Sequence, residues 1–129
     1  MNANINISKI EEFLHSQFRG VVSDNTYVGS LPDTIKSTWT DMCLIDCGTI
    51  ISDLDAYGKG TVLVWLYAKP FSNGQKNVAK MMELETALNT AISGATSSNY
   101  HITRRGTYTD YDDSRKWHVN IVELNIAIF

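Results

Sequence analysis

The sequence predicts an α+β fold: one domain over residues 1–129, with a mainly antiparallel sheet of about four to five strands with long hairpins and two helices packed on one face, in the order α-β-β-β-α-β-β. Three observations predict it. Apolar residues recur at helical spacing in two segments, 10–18 and 78–92. The segments between and after them are rich in β-branched and aromatic residues. Gly, Pro, Asn and Ser clusters separate these segments, and no internal repeat joins them. A chain of 129 residues fits one domain and buries enough surface for a core without staples.

The first helix is expected over 9–19. Ser8-Lys9-Ile10-Glu11 reads as a capping box with Ile7 as its staple residue. Ile10, Phe13, Leu14 and Phe18 form the apolar stripe, and Gly20 stops it. Residues 21–32 are turn-rich. They hold a short strand at Thr26-Tyr27-Val28, which Pro32 confines to an edge. The stretch 35–39 has no clear pattern.

Residues 39–54 read as a strand with apolar residues on both faces. Met42, Leu44, Ile50 and Ser52 share one parity, and Cys43, Ile45, Cys47 and Ile51 the other, with Gly48 a bulge between them. Residues 53–60 form a polar hairpin loop. Residues 61–69 are the clearest strand, closed by Pro70. The second helix is expected over 75–92, with Val78, Met81, Met82, Leu84 (or Glu85), Leu88, Ala91 and Ile92 inward and Gly94 closing it. Met81 and Met82 read as core filling. A hairpin completes the chain: 100–109 outward, a turn over 110–114, and 115–129 back. On the return, His118, Asn120, Val122, Leu124, Ile126 and Ile128 share one face. Trp117, Val119, Ile121, Asn125 and Ala127 share the other.

Strand length carries a further expectation. A domain of this size is about 36 Å across, whereas 115–129 fully extended spans about 50 Å. The hairpins are therefore expected to project beyond the body and to bury their apolar faces against neighbouring copies, in a ring or a sheet continued between subunits.

Charge and cysteine usage narrow the function classes. The net charge is −3 and the eleven basic residues are scattered, with tight pairs at Arg104-Arg105 and Arg115-Lys116. This argues against specific nucleic-acid binding, which needs clustered cations. No apolar run approaches a membrane span, and the start lacks the basic and apolar regions of a secretion signal, so neither membrane nor export is expected. Cys43 and Cys47 are four apart on one strand face, about 13 Å between Cα atoms, too far for a disulfide. Buried thiols in a reducing compartment are the expectation.

Residue type and spacing bear on several candidate sites. Cys43, Cys47, His101 and His118 lack zinc spacing, with His118 expected opposite Gly106. A Cys–His nucleophile from the same residues has no local signature. Asp110, Asp112 and Asp113, beside Tyr108 and Tyr111, could hold a cation but lack a calcium-loop frame. Asp53 and Asp55, near Tyr57 in the other hairpin loop, present the same choice without a pocket. Gly58-Lys59-Gly60 is a turn and not a phosphate loop. Arg104, Arg105, Tyr100 and Tyr108 mix cations with aromatics as single-strand binders do, but the nearby aspartates repel phosphate, which favours a salt-laced subunit contact. The expectation is no enzyme, no catalytic residue, no metal and no cofactor.

The layout resembles the tail terminator and tail-completion (head–tail joining) proteins of long-tailed bacteriophages. The resemblance rests on the helix around Ile10 to Phe18, then Tyr27-Val28-Gly29-Ser30-Leu31-Pro32, the long pair 42–51 and 61–68, Gly74 leading into the helix 78–92, and the terminal 100–129. It covers nearly the whole chain and is one of order and size. It implies a structural subunit without cofactor, forming a ring, often hexameric, at the end of the tail tube and meeting tail tube and head-connector proteins. It implies assembly in the bacterial host cytoplasm and a place in the virion tail, or a prophage gene. Asp53, Asp55, Asp110, Asp112 and Asp113 would then line a lumen through which DNA slides by like-charge repulsion. The alternative is a small intracellular ligand- or protein-binding module, with its ligand held between the sheet and the helices.

Overall fold

The computed structural model describes residues 6–53 and 57–129, and the side chains of 49–53 and 57 lie outside that description. Its elements are α1 (Ile7–Phe18), β1 (Thr26–Val28), β2 (Asp41–Asp53), β3 (Tyr57–Ala68), α2 (Val78–Ala95), β4 (Tyr100–Asp112) and β5 (Trp117–Ile128). The α+β class and the element order are as expected.

The strands form one five-stranded sheet in the order β1-β2-β3-β5-β4. All neighbours are antiparallel except β1, which lies parallel to β2 at the edge, Thr26 opposite Cys43 and Val28 opposite Ile45. Gly48 is the expected bulge: the β2–β3 register shifts between Cys47 and Thr49. A second bulge falls between Arg104 and Gly106 on β4.

Both helices pack on one face of the sheet. Ile10, Leu14 and Phe18 of α1 are fully buried against Cys43, Ile45, Val62, Val64 and Leu66. Met81, Leu84, Leu88, Ala91 and Ala95 of α2 close the same core over Val122, Leu124, Ile126 and Ile128. Phe13 stacks on Tyr100 with ring centroids 4.5 Å apart, which ties α1 to the start of β4.

Helix boundaries differ from expectation in cap residue. Asn6, not Ser8, caps α1, its side chain accepting from the Lys9 N–H at 3.1 Å. Asn77 caps α2 in the same way through the Lys80 N–H, so the helix starts at Val78 and not at residue 75. Gly94 does not close α2, because burying Ala95 (1% exposed) rewards another residue of helix. The buried stripe of α2 is Met81, Leu84, Leu88, Ala91, Ile92 and Ala95, and Val78 and Met82, four apart, lie together off it at 56% and 62% exposed, so Met82 is not core filling while Met81 is.

The expected projection of the hairpins is overturned. β3 pairs with β5 from Gly58 opposite Ile128 to Ala68 opposite His118. The hairpins thus run side by side as one long sheet, about 40 Å along the strands at the usual rise. Lateral hydrogen bonding along the whole ladder absorbs the strand length that was expected to overshoot. The last turn also moves: β4 extends to Asp112, so His118 lies opposite Tyr111 and not Gly106.

Candidate functional site

The second face of the sheet carries no helix among the described residues. A strap formed by residues 29–40 crosses part of it, between β1 and β2. Leu31, Met42, Tyr67, Trp117, Val119 and Ile121 are buried beneath or beside this strap. Tyr27, Ile35, Trp39, Leu44, Leu63 and Trp65 are only partly buried around them. Tyr27 and Trp39 meet with centroids 6.1 Å apart, and Lys69 Nζ donates to the Ser37 carbonyl at 2.8 Å, pinning the strap to the end of β3. The stretch 35–39, patternless in sequence, is thus a cover for apolar sheet.

Toward the β2–β3 hairpin the same face changes character. Lys59, Thr61, His101, Thr103, Asn125 and Ala127 line an open cleft of about 460 Å³ over β3, β5 and β4. Between cleft and strap, Arg105 and Glu123 approach to 3.9 Å.

The face that carries the helices is different in kind. Its helix–sheet interface is filled by packed side chains, so the expected ligand position between sheet and helices is occupied by core. A chain of polar contacts runs beside α2. Lys76 Nζ donates to Thr109 Oγ1 and Asn120 Oδ1, both at 3.1 Å, and Asn120 Nδ2 donates to Glu85 Oε1 at 2.9 Å. Arg104 pairs with Glu85 at 3.6 Å and donates to Asn89 Oδ1 at 3.0 Å and to Thr107 Oγ1. These groups are mutually satisfied, and they fasten β4 and β5 to α2. In the first turn of α2, Lys80 Nζ pairs with Asp41 at 2.9 Å, and Asp41 also accepts from Ser23 Oγ. That pairing holds the Lys80 ammonium above its ordinary pKa.

The residues singled out from sequence separate into different places. The β2–β3 and β4–β5 turns sit at opposite ends of the sheet, because Gly58 lies level with Ile128 and Ala68 with His118. Asp55 lies outside the described residues, and Asp53 and Tyr57 are described only as a backbone pair. Asp53 is therefore at the opposite end of the sheet from Asp110, Asp112 and Asp113. At the far turn, Tyr108, Asp110 and Asp112 are on the helix-free face, paired across from Ile121, Val119 and Trp117. Tyr111 is on the other face, its ring edge against His118 at 5.0 Å. Asp112 is a turn residue in its own right: it accepts from the Arg115 N–H at 3.0 Å and pairs with its guanidinium at 3.1 Å. Asp110 accepts from the Tyr111 N–H at 2.8 Å. Burial, together with Asp112, raises the Tyr67 hydroxyl pKa.

Cys43 and Cys47 are buried free thiols on the helix side of β2. Burial pushes Cys43 up to about 12 and Cys47 up to about 11, which leaves both as unreactive thiols. Among the described residues no group of His, Cys, Asp and Glu is placed to hold a metal ion, and no helix is long and apolar enough to cross a membrane.

The helix-free face was missed as a unit in the sequence. Its signal was present in the unclean alternation of β2 and in the Trp117, Val119, Ile121 parity of β5, which predict apolar residues on both sides of the sheet. Neither a protein-family model nor a curated protein matches the chain.

Proposed function

We propose that this chain is a structural assembly subunit that joins copies of itself into a ring, like the phage tail terminator and tail-completion proteins it resembles in element order. The observation that carries this reading is the helix-free face, where Leu44, Leu63 and Trp65 stay partly exposed beyond a strap that covers only part of the sheet. An apolar sheet face left partly open marks a contact surface. The helices cover the other side of the sheet, so a neighbouring copy is the economical cover for this one. On this reading tail tube and head-connector proteins are the further partners, the virion tail is the location, and the role is mechanical, without catalysis or cofactor.

Light scattering over a concentration series tests it. The expected result is a discrete oligomer that Leu63→Arg dissociates without lowering helix or strand content. A chain that stays monomeric throughout counts against the reading. The cleft lined by Lys59, Thr61, His101, Thr103 and Asn125 favours one second reading, a binding module whose small polar ligand lies on the sheet face. A strict monomer whose Thr61 and Asn125 resonances shift on ligand addition would select that module.

A further inference from the structure

We propose that the two sheet edges left without a partner strand among the described residues join between copies: the outer edge of β4 in one copy pairs with the outer edge of β2, from Asp46 onward, in the next, and Arg105 meets Asp46 across the junction. This rests on the ring reading above and adds to the covering of the helix-free face a second contact, made in the plane of the sheet between its edges.

The strand order leaves two edges that differ in kind. β4 pairs along Tyr100–Asp112 with β5 alone. At the other side β1 covers only Cys43 to Ile45. From Asp46 to Asp53 no strand lies outside β2 among the described residues. Long bare edges recruit strands. Two unlike edges on opposite sides of one sheet join head to tail, and a head-to-tail contact closes into a ring when its rotation permits.

Direction and level both fit. β2 is antiparallel to β3, β3 to β5 and β5 to β4, so β2 and β4 run oppositely within the chain. Rotation about an axis along the strands keeps those directions, so β4 beside a neighbour's β2 forms the same antiparallel ladder. Such a rotation carries no translation, so it also keeps levels. Asp46 is opposite Leu63, Leu63 opposite Glu123, and Glu123 opposite Gly106. Asp46 of one copy is therefore level with the Arg105–Gly106 bulge of the next.

The charges complete the fit. Arg104 is engaged on the helix side by Glu85, Asn89 and Thr107. Arg105 turns to the helix-free face, where its only ion pair among the described residues is the long 3.9 Å contact with Glu123, and its side chain is 63% exposed. Asp46 shares that face, on the same parity as Met42 and Leu44. The junction brings opposite charges together on one face at one level, which fixes register as well as attraction.

The test uses the full chain with Asp46→Arg, Arg105→Asp and the double exchange. Native mass spectrometry gives the assembly and thermal melting of the dissociated chain gives the fold. Each single reversal is expected to raise the concentration needed for assembly by about tenfold or more, and the double exchange to restore it. Melting temperatures of the dissociated chains should stay together. On assembly of the wild type, amide exchange should slow along residues 46–53 and 100–106. Single variants that assemble like the wild type, or a double exchange that fails to restore assembly, would overturn the edge junction and leave the ring reading standing. A wild-type chain that never assembles would overturn both.

Discussion

Leu63 and Leu66 lie three residues apart on β3 and point to opposite faces, so truncating each reads the two sides of the sheet separately. Leu66 is 0% exposed beneath the helices. Removing its three outer carbons leaves a cavity walled by Cys43, Val64 and helix side chains that cannot close over it. The cost is about 3 kcal/mol, in the lower half of the range for a sealed leucine site. With an unfolding entropy of about 2.1 cal/mol/K per residue, 129 residues give about 0.27 kcal/mol/K, so Leu66→Ala should lower the melting temperature by about 11 °C. Leu63 is only partly buried, and its cross-strand neighbours Asp46 and Glu123 are charged. Water fills the space it leaves, so Leu63→Ala should cost about 1 kcal/mol or less, about 4 °C. Circular-dichroism melts at concentrations below assembly measure both. At assembling concentrations the Leu63 variant should lose further ground against wild type, because Leu63 is the cross-strand neighbour of Asp46, and losing it weakens the proposed contact between copies. A Leu63→Ala melt as low as that of Leu66→Ala in the dissociated chain would refute the claim that the helix-free face is incomplete within one copy.

Three further outcomes follow from local chemistry. Thiol labelling of the native chain at pH 8 should be slow at both cysteines, about a thousandfold slower at Cys43 than at a thiol with its ordinary value of 9.0, and rapid once the chain is denatured. Fast native labelling would contradict their burial. Lys116 has φ 61° in the β4–β5 turn. Lys116→Gly should therefore raise stability by about 0.5–1 kcal/mol, read as a higher melting temperature, and a lowered one would show that the Lys116 side chain matters more than its backbone strain. The Lys80 pKa lies above its ordinary 10.5 in the folded chain, chiefly through its hydrogen bond to Asp41. Its contribution to stability is thus full below that value and fades as pH rises through the folded pKa. Wild type and Lys80→Met should differ at neutral pH by about 1 kcal/mol or less, since the pair is partly solvent-screened, and converge in strong alkali. A constant gap across that range would assign the effect to packing of the lysine stem.

Much of this architecture was legible in the residues. The stripe of Ile10, Leu14 and Phe18 and that of Met81, Leu84 and Leu88 gave the two helices, since a 3.6-residue period has no other use. Gly48 gave its bulge, and the parities of β5 gave its two faces. Cap choice was not legible, because Asn6 and Ser8 both suit an N-cap and packing of the first turn selects between them. The inward side of Met82 was misjudged because adjacent Met81 and Met82 cannot both face the sheet, and the stripe of Leu84, Leu88 and Ala91 selects Met81. Long-range register was the larger gap. That β3 and β5 would pair along their whole length is not encoded in either strand alone. It turned two expected projections into one sheet and put Asp53 and Asp112 at opposite ends of it. The contacts among Lys76, Asn120, Glu85 and Arg104 span residues far apart in sequence and emerge only once that register is set.

The most direct measurement is native mass spectrometry of the wild-type chain while its concentration is raised. One closed multiple of the monomer mass, replacing the monomer without a ladder of larger species, is what head-to-tail joining through two unlike edges produces. A monomer that persists unchanged, or a two-fold dimer that grows no further, would contradict it.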